Sequence, residues 1–229
     1  TFTIDFCDDS LHTNGNLSIC GGTYTLSTGD DGMHADGADQ VYGGEITIKT
    51  CYEGIEGQNM ESSGGTIDIT ASDNGNGALD YNGTATITGG TLVAAGMSGM
   101  EQNFGSDSTQ GTLMMNLTDN QSGKITLEDA NGNTLVSYTP MREYNSVVIS
   151  CAELSDGSTY TIHTGENSRE VTMEGLVHTD GEVTNAPGQG GGQKPQGGPM
   201  GDNSGDSDNS DNSDRPTLPQ GQGNPPDTQ

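Results

Sequence analysis

Acidic residues and two histidines recur at a fixed spacing in the first part of the chain. Asp8-Asp9, Asp30-Asp31 and Glu53 follow one another at 22-residue intervals, and so do His12, His34 and Glu56. Asp80 and Glu101 continue the second series. If the repeating units stack, each series becomes a column of side chains ~4.8 Å apart, a separation at which carboxylates repel. A hard dication with oxygen ligands at about 2.3–2.6 Å relieves that repulsion, so calcium is the expected ion. Corner carbonyls with Asp36 and Asp39 would complete its shell. The competing reading is a solvated acidic face that orders no ion. His12 and His34 raise zinc, but no third nitrogen or sulfur ligand accompanies them. They read better as hydrogen-bonded or ligand-contacting imidazoles. Tyr52 and Tyr81 flank the columns and offer rings that could stack on a sugar, against an ordinary packing role.

The columns require a repeat, and one is visible. CDDSLHTNG, GDDGMHADG, CYEGIEGQN, NGNGALDYNG and MSGMEQNFG align on Leu11, Met33, Ile55, Leu79 and Met100, with steps of 22, 22, 24 and 21 residues. Gly-Gly pairs at 21–22, 43–44, 64–65 and 89–90 confirm the register, each followed by an alternating strand: TYTLS, EITIK, TIDIT, TLVAA. Alternation sends Tyr24/Leu26, Ile46/Ile48, Ile67/Ile69 and Leu92/Ala94 inward. A unit of ~22 residues with short strands and glycine corners cannot bury its own apolar face. Stacked copies can, and the expected fold is an all-β parallel β-helix of about five coils over residues 1–110. Beyond it the period disappears, but TLMMNL, KITLED, TLVSYT, SVVIS, TYTIHT and EVTMEG still alternate or run apolar between turn residues. Residues 111–183 are therefore expected to form a small antiparallel β module covering the open last coil. Residues 184–229, rich in Gly, Pro, Asp, Ser and Asn, hold almost nothing to bury and read as a disordered linker or tail.

Composition limits the partners. Six Lys+Arg against 33 Asp+Glu give a net charge of -27, which repels phosphate backbones and anionic membranes and excludes nucleic acid as a partner. No stretch is apolar enough to insert in a membrane. The 28% hydrophobic content and 37 Gly suit a thin repeat core rather than an ordinary globular one. Cys7, Cys20, Cys51 and Cys151 show no CxxC spacing, and Cys7 and Cys51 fall two coils apart, ~9.6 Å by the coil spacing, beyond disulfide reach. Isolated thiols are expected. The opening TFTIDF reads as mid-strand, so the chain reads as a fragment or a mature form.

GDDGMHADG, KTCYEGIEG and GALDYNGTATITGGTLVAAG resemble the clostridial carbohydrate-binding β-helix domains, a family similar in fold to pectate lyases whose members are calcium-containing binders of cellulose and polygalacturonate. The resemblance covers about residues 1–165. It implies a right-handed helix, a secreted or cell-surface setting in a Gram-positive anaerobe, and calcium ligands at Asp8, Asp9, Asp30, Asp31, Glu53 and Glu56, where the DDG and YEGIE motifs match. The four cysteines depart from the pattern. The expected function is calcium-dependent, non-catalytic binding of a plant cell-wall or acidic polysaccharide, by a monomer tethered to a larger assembly, with His12, His34, Tyr52, Asp80 and Tyr81 facing the sugar. Two alternatives stand beside it. A uronate lyase needs a strong base opposite the ion, and Lys49 is the only Lys or Arg in residues 1–110. A structural or adhesive spacer needs only the rod.

Overall fold

The computed structural model describes residues 1–72 and 77–181. The described residues contain no helix. Four coils are written in strands β1 (Phe2–Cys7), β2 (Leu11–Thr13), β3 (Leu17–Ile19), β4 (Thr23–Thr28), β5 (Met33–Val41), β6 (Glu45–Thr50), β7 (Ile55–Thr70), β8 (Leu79–Tyr81) and β9 (Ala85–Gly96). Equivalent strands of consecutive coils pair in parallel, from β1–β4 through β7–β9. Leu11, Met33, Ile55 and Leu79 are in one register, as are Leu26, Ile48, Ile69 and Ala94. These columns form the solenoid core, with Met33, Ile48, Ile55 and Ile69 at most 1% exposed. Burying such a side chain is worth about 1.5–3 kcal/mol, and stacking lets every coil do so on two neighbours.

The second glycine of each Gly-Gly corner is in the left-handed region, with φ of 108°, 108°, 85° and 94° at Gly22, Gly44, Gly65 and Gly90. The corners also stack closely. A Cβ at Gly65 would lie 2.7 Å from the Gly44 carbonyl oxygen. Conformation and space therefore both demand glycine there.

The repeat makes about four turns, and the fifth copy is not a coil. Met100, aligned with the core column, is 49% exposed, while Phe104 is 3% exposed and joins the core. The reason lies in the strands that follow. The cap comprises β10 (Thr112–Gln121), β11 (Ile125–Glu128), β12 (Thr134–Tyr138), β13 (Tyr144–Ser150), β14 (Thr159–Thr164), β15 (Asn167–Thr172) and β16 (Val177–Asp180). β13 pairs antiparallel with β9, from Ser146–Gly96 to Ser150–Leu92, and β10 pairs with β13. The solenoid sheet thus continues into the cap. A second, four-stranded sheet β12-β11-β14-β15 covers its outer face.

That cover explains the apolar runs. In β9, β10 and β13 one side chain parity enters the solenoid core (Leu92, Ala94, Met114, Val148). The other parity packs against Ile125, Leu127, Tyr160 and Ile162 of the second sheet (Val93, Leu113, Met115, Ile149). Strands buried on both faces read as continuous apolar segments rather than as alternation. Solenoid and cap fall in one compact unit. The linker expected at 184–229 lies outside the described residues.

Candidate functional site

The turns entering β5 and β7 set the acidic columns. Each uses the carboxylate of the coil before it: the Asp31 amide donates to Asp9 Oδ1 at 3.1 Å, and the Glu53 amide to Asp31 Oδ1 at 3.3 Å. Main-chain bonds hold the same corners in register, with Asp30 N donating to Asp8 O at 3.2 Å and Tyr52 N to Asp30 O at 2.7 Å. Three residues on, His12, His34, Glu56 and Asp80 form a second column in strand register. The two columns lie side by side, so the free Oδ2 atoms of the first meet the imidazoles of the second.

The result is a crowded ladder. His12 Nδ1 lies 2.6 Å from Asp9 Oδ2. His34 Nδ1 lies 3.3 Å from Asp31 Oδ2, 3.2 Å from Glu56 Oε2 and 3.8 Å from Asp9 Oδ2, and its Nε2 is 3.7 Å from Asp36 Oδ1. The two rings tilt against each other with centroids 4.7 Å apart. One imidazole nitrogen cannot satisfy three carboxylates. Burial, together with a hydrogen bond to and the charge of Glu56, therefore pushes the Asp31 carboxyl well above the usual range. Burial raises Glu53 to about 7, with Asp80, Glu56 and Asp30 adding repulsion. Asp30 shifts upward by burial and the charges of Asp9 and Asp8. His12 shifts upward through its bond to Asp9.

Three donor sets converge within 4.8 Å: Asp9–Asp30–Asp31, Asp31–His34–Glu56 and Asp9–His12–His34. The first offers oxygen alone, and the Asp31–Glu56 contact needs either a proton or a cation between its carboxylates. Both features fit a hard ion such as calcium. The third set, with two ring nitrogens and one oxygen, suits a borderline metal such as zinc.

Of the residues expected to face a ligand, Asp9, Asp30, Asp31, Glu56, His12 and His34 come together. Asp8 is exposed at the first corner, and its backbone oxygen accepts from Thr28 Oγ1 and Asp30 N. Glu53 is 9% exposed and lies outside the three sets. Tyr52 is 39% exposed beside the ladder. Tyr81 packs on the solenoid core and donates to the Asn103 carbonyl at 2.6 Å. Asp80 continues the column below Glu56. Glu101 leaves the column. It accepts from Gly99 N and, at 2.8 Å, from Asn116 Nδ2 in the cap.

Two placements were missed. Asp39 is not in the outer shell but fully buried, in a column otherwise made of Leu17, Met60 and Ala85. Plain alternation from Met33 to Val41 already put it on the inward face. Arg142 of the cap reaches the third coil and donates from Nη1 to Cys51 O at 3.3 Å, next to Tyr52. Ninety-one residues separate the pair, and nothing local in the sequence links them. Cys20, Cys51 and Cys151 are free. A cleft of about 540 Å³ lies in the cap around Asn116, Asp119, Asn167 and Arg169, and includes none of the ladder residues.

Residues 2–100 match a family described as carbohydrate-binding domain-containing protein. The match spans the solenoid, including every residue of the ladder, and stops before the cap. No curated protein and no solved structure matches the chain. Among the described residues, no helix is long and apolar enough to cross a membrane.

Proposed function

We propose that the solenoid is a non-catalytic binder of acidic polysaccharide and that calcium on the carboxylate ladder bridges protein and sugar. Support for the carbohydrate comes from the family match over 2–100. The observation that carries the ion is the oxygen-only set Asp9–Asp30–Asp31, continuous with Asp31–His34–Glu56 on the flank of consecutive coils. A chain of net charge -27 repels a polyuronate. A dication held by two or three protein carboxylates keeps open coordination positions and reverses that sign locally. The three donor sets share Asp9, Asp31 and His34 in one patch across consecutive coils, so an ion there would sit on the open flank of the rod. Tyr52, exposed at the edge of the ladder, supplies an apolar face for a pyranose ring. The setting this reading implies is extracellular, secreted or at the cell surface, with the chain carried as one part of a larger assembly.

Affinity electrophoresis in polygalacturonate and in a neutral β-glucan, with calcium or with EGTA, tests it. Retardation in polygalacturonate should require calcium and fall at least ~10-fold in Asp31→Asn/Glu56→Gln, a loss of about 1.4 kcal/mol or more. Retardation unchanged in EGTA would sink the calcium bridge, and no retardation in any glycan with calcium present would sink the carbohydrate.

A further inference from the structure

The family match ends at residue 100, and the cap beyond it holds a cleft that the ladder does not use. Its volume, about 540 Å³, falls in the range of small-molecule sites, roughly 300–1,000 Å³. Two elements wall it. β10 loses its register with β13 between Asn116 and Gln121, and a break of that kind re-aims the side chains around it. The β14–β15 hairpin supplies Asn167 and Arg169. The polar groups of both walls are held by neighbours. Asn167 Nδ2 donates to Gln121 Oε1 at 2.6 Å and joins the two walls. Arg169 Nη2 donates to Asp180 Oδ1 at 2.7 Å, and Asn116 Nδ2 donates to Glu101 Oε1 at 2.8 Å. One acceptor is left over. Asn116 is 3% exposed, and its Oδ1 has no hydrogen-bond partner among the described residues. A buried acceptor of that kind calls for a donor.

We propose that this cleft is a second carbohydrate subsite, distinct from the outer ladder, that takes a short neutral glycan without calcium. The lining selects the class. Leu117 is its one apolar side chain, too little to cover an apolar ligand. Arg169 is its one cation, is paired with Asp180 and shares the lining with Asp119, so a ligand anion gains no net attraction. Asp119 is its one carboxylate, too few for a hard cation. What remains is a mixture of donors and acceptors. The guanidinium carries five donors, of which Asp180 takes one, while the amides of Asn167 and Gln121 and the hydroxyl of Thr118 can each donate and accept. Sugar hydroxyls, each both donor and acceptor, match that mixture. The bonds from Asp180, Glu101 and between the walls already fix the polar groups, so little side-chain freedom is lost on binding. The choice of a glycan rests on the carbohydrate reading of the solenoid, and the cleft is independent of its calcium.

Calorimetric titration of the full chain in EGTA with cellohexaose, mannohexaose and xylohexaose, and separately with trigalacturonate, tests the cleft. At least one neutral hexasaccharide should bind, at one site per chain. Asp119→Ala/Asn167→Ala removes two exposed side chains and should weaken that binding at least ~10-fold. The same variant should keep its calcium-dependent retardation in polygalacturonate, which reports an intact solenoid. The ladder variant Asp31→Asn/Glu56→Gln should bind the neutral sugar as the native chain does, so the two sites fail separately. No neutral binding in EGTA, with calcium-dependent retardation in polygalacturonate retained, would overturn the cleft and leave the ladder reading standing. Neutral binding lost in the ladder variant and kept in Asp119→Ala/Asn167→Ala would overturn the location. Trigalacturonate binding more tightly than every neutral sugar in EGTA, and lost in Asp119→Ala/Asn167→Ala, would overturn the neutral assignment. Failure of every glycan, with calcium and without it, would overturn the carbohydrate reading and the cleft together.

Discussion

Without cations, this protein should lose stability as the pH rises from ~4 to ~8, because its buried acids keep their protons when folded. Burial raises Asp39 from 3.8 to about 7 and, with neighbouring acids, Glu53 from 4.5 to about 7. Both folded values exceed the unfolded ones, so the folded state binds more protons across that interval. The contribution is complete below the unfolded values and is lost as pH passes the folded ones. At ~1.4 kcal/mol per pH unit, Asp39, wholly inaccessible, accounts for about 4 kcal/mol. Glu53, closer to solvent, is discounted to about 2 kcal/mol. A loss of ~6 kcal/mol is a large share of a typical domain's stability. With m of ~2 kcal/mol/M it moves the urea midpoint down by ~3 M. The assay is urea unfolding followed by circular dichroism in tetramethylammonium buffers with EGTA. High tetramethylammonium chloride screens repulsion among the exposed acids, so the residual slope reports buried groups. A midpoint that stays level or rises between pH ~4 and ~8 without cations would refute the assignment of Asp39 and Glu53 as buried, proton-holding acids.

Two further outcomes follow from the packing. In a Cys7→Ser background, a thiol reagent should modify Cys20 at once and Cys51 and Cys151 only on unfolding, because both are 2% exposed and burial pushes their thiols up to about 12 and about 11. Adjacent positions on β13 should both be costly: Ile149→Ala by ~3 kcal/mol and Val148→Ala by ~2 kcal/mol, as they enter different cores. On β6, by contrast, Ile48→Ala should be costly and the exposed Lys49→Ala should change stability by less than ~0.5 kcal/mol. Chemical denaturation of the four variants decides it, and a cheap Val148→Ala would refute two-sided burial.

The four regular coils were legible because stacking repeats a residue type at a fixed interval. Leu11, Met33, Ile55 and Leu79 stand in the register that the spacing implied, and so do His12, His34, Glu56 and Asp80. The fifth copy misled for a physical reason. Its apolar residue, Met100, has the right spacing, but β13 and β10 have by then taken over the sheet, and Phe104 fills the core instead. Long-range pairing of that kind leaves no periodic trace. TLVAAG, TLMMNL and SVVIS did carry the clue, since alternation gives way to unbroken apolar runs where a second core begins. Asp39 was misplaced because its residue type suggested the surface while its position in the alternation pointed inward. Arg142 joins the third coil only through tertiary packing.

The acidic ladder is a consequence of the same register that builds the core. Parallel in-register stacking places every outward residue over its equivalent, so a coil that repeats an acid must bring like charges to ~4.8 Å. The chain meets that cost in several ways within one small region. Asp9 and Asp31 each turn one oxygen toward the amide of the next coil and accept a hydrogen bond from it. His12 and His34 set imidazoles against the remaining oxygens. Burial, with the hydrogen bond to and the charge of Glu56, pushes the Asp31 carboxyl upward toward its neutral form. The first two devices offer partners to the oxygens, and the third suppresses charge. A surface that had only to be soluble would scatter its acids or pair them with lysine, and residues 1–110 contain one Lys and no Arg. Withholding basic partners from a stacked set of acids leaves an external cation as the one species able to relieve them all at once. On the proposed reading the ion, rather than the sugar, is the first ligand of the ladder, and an acidic polymer binds second, through it.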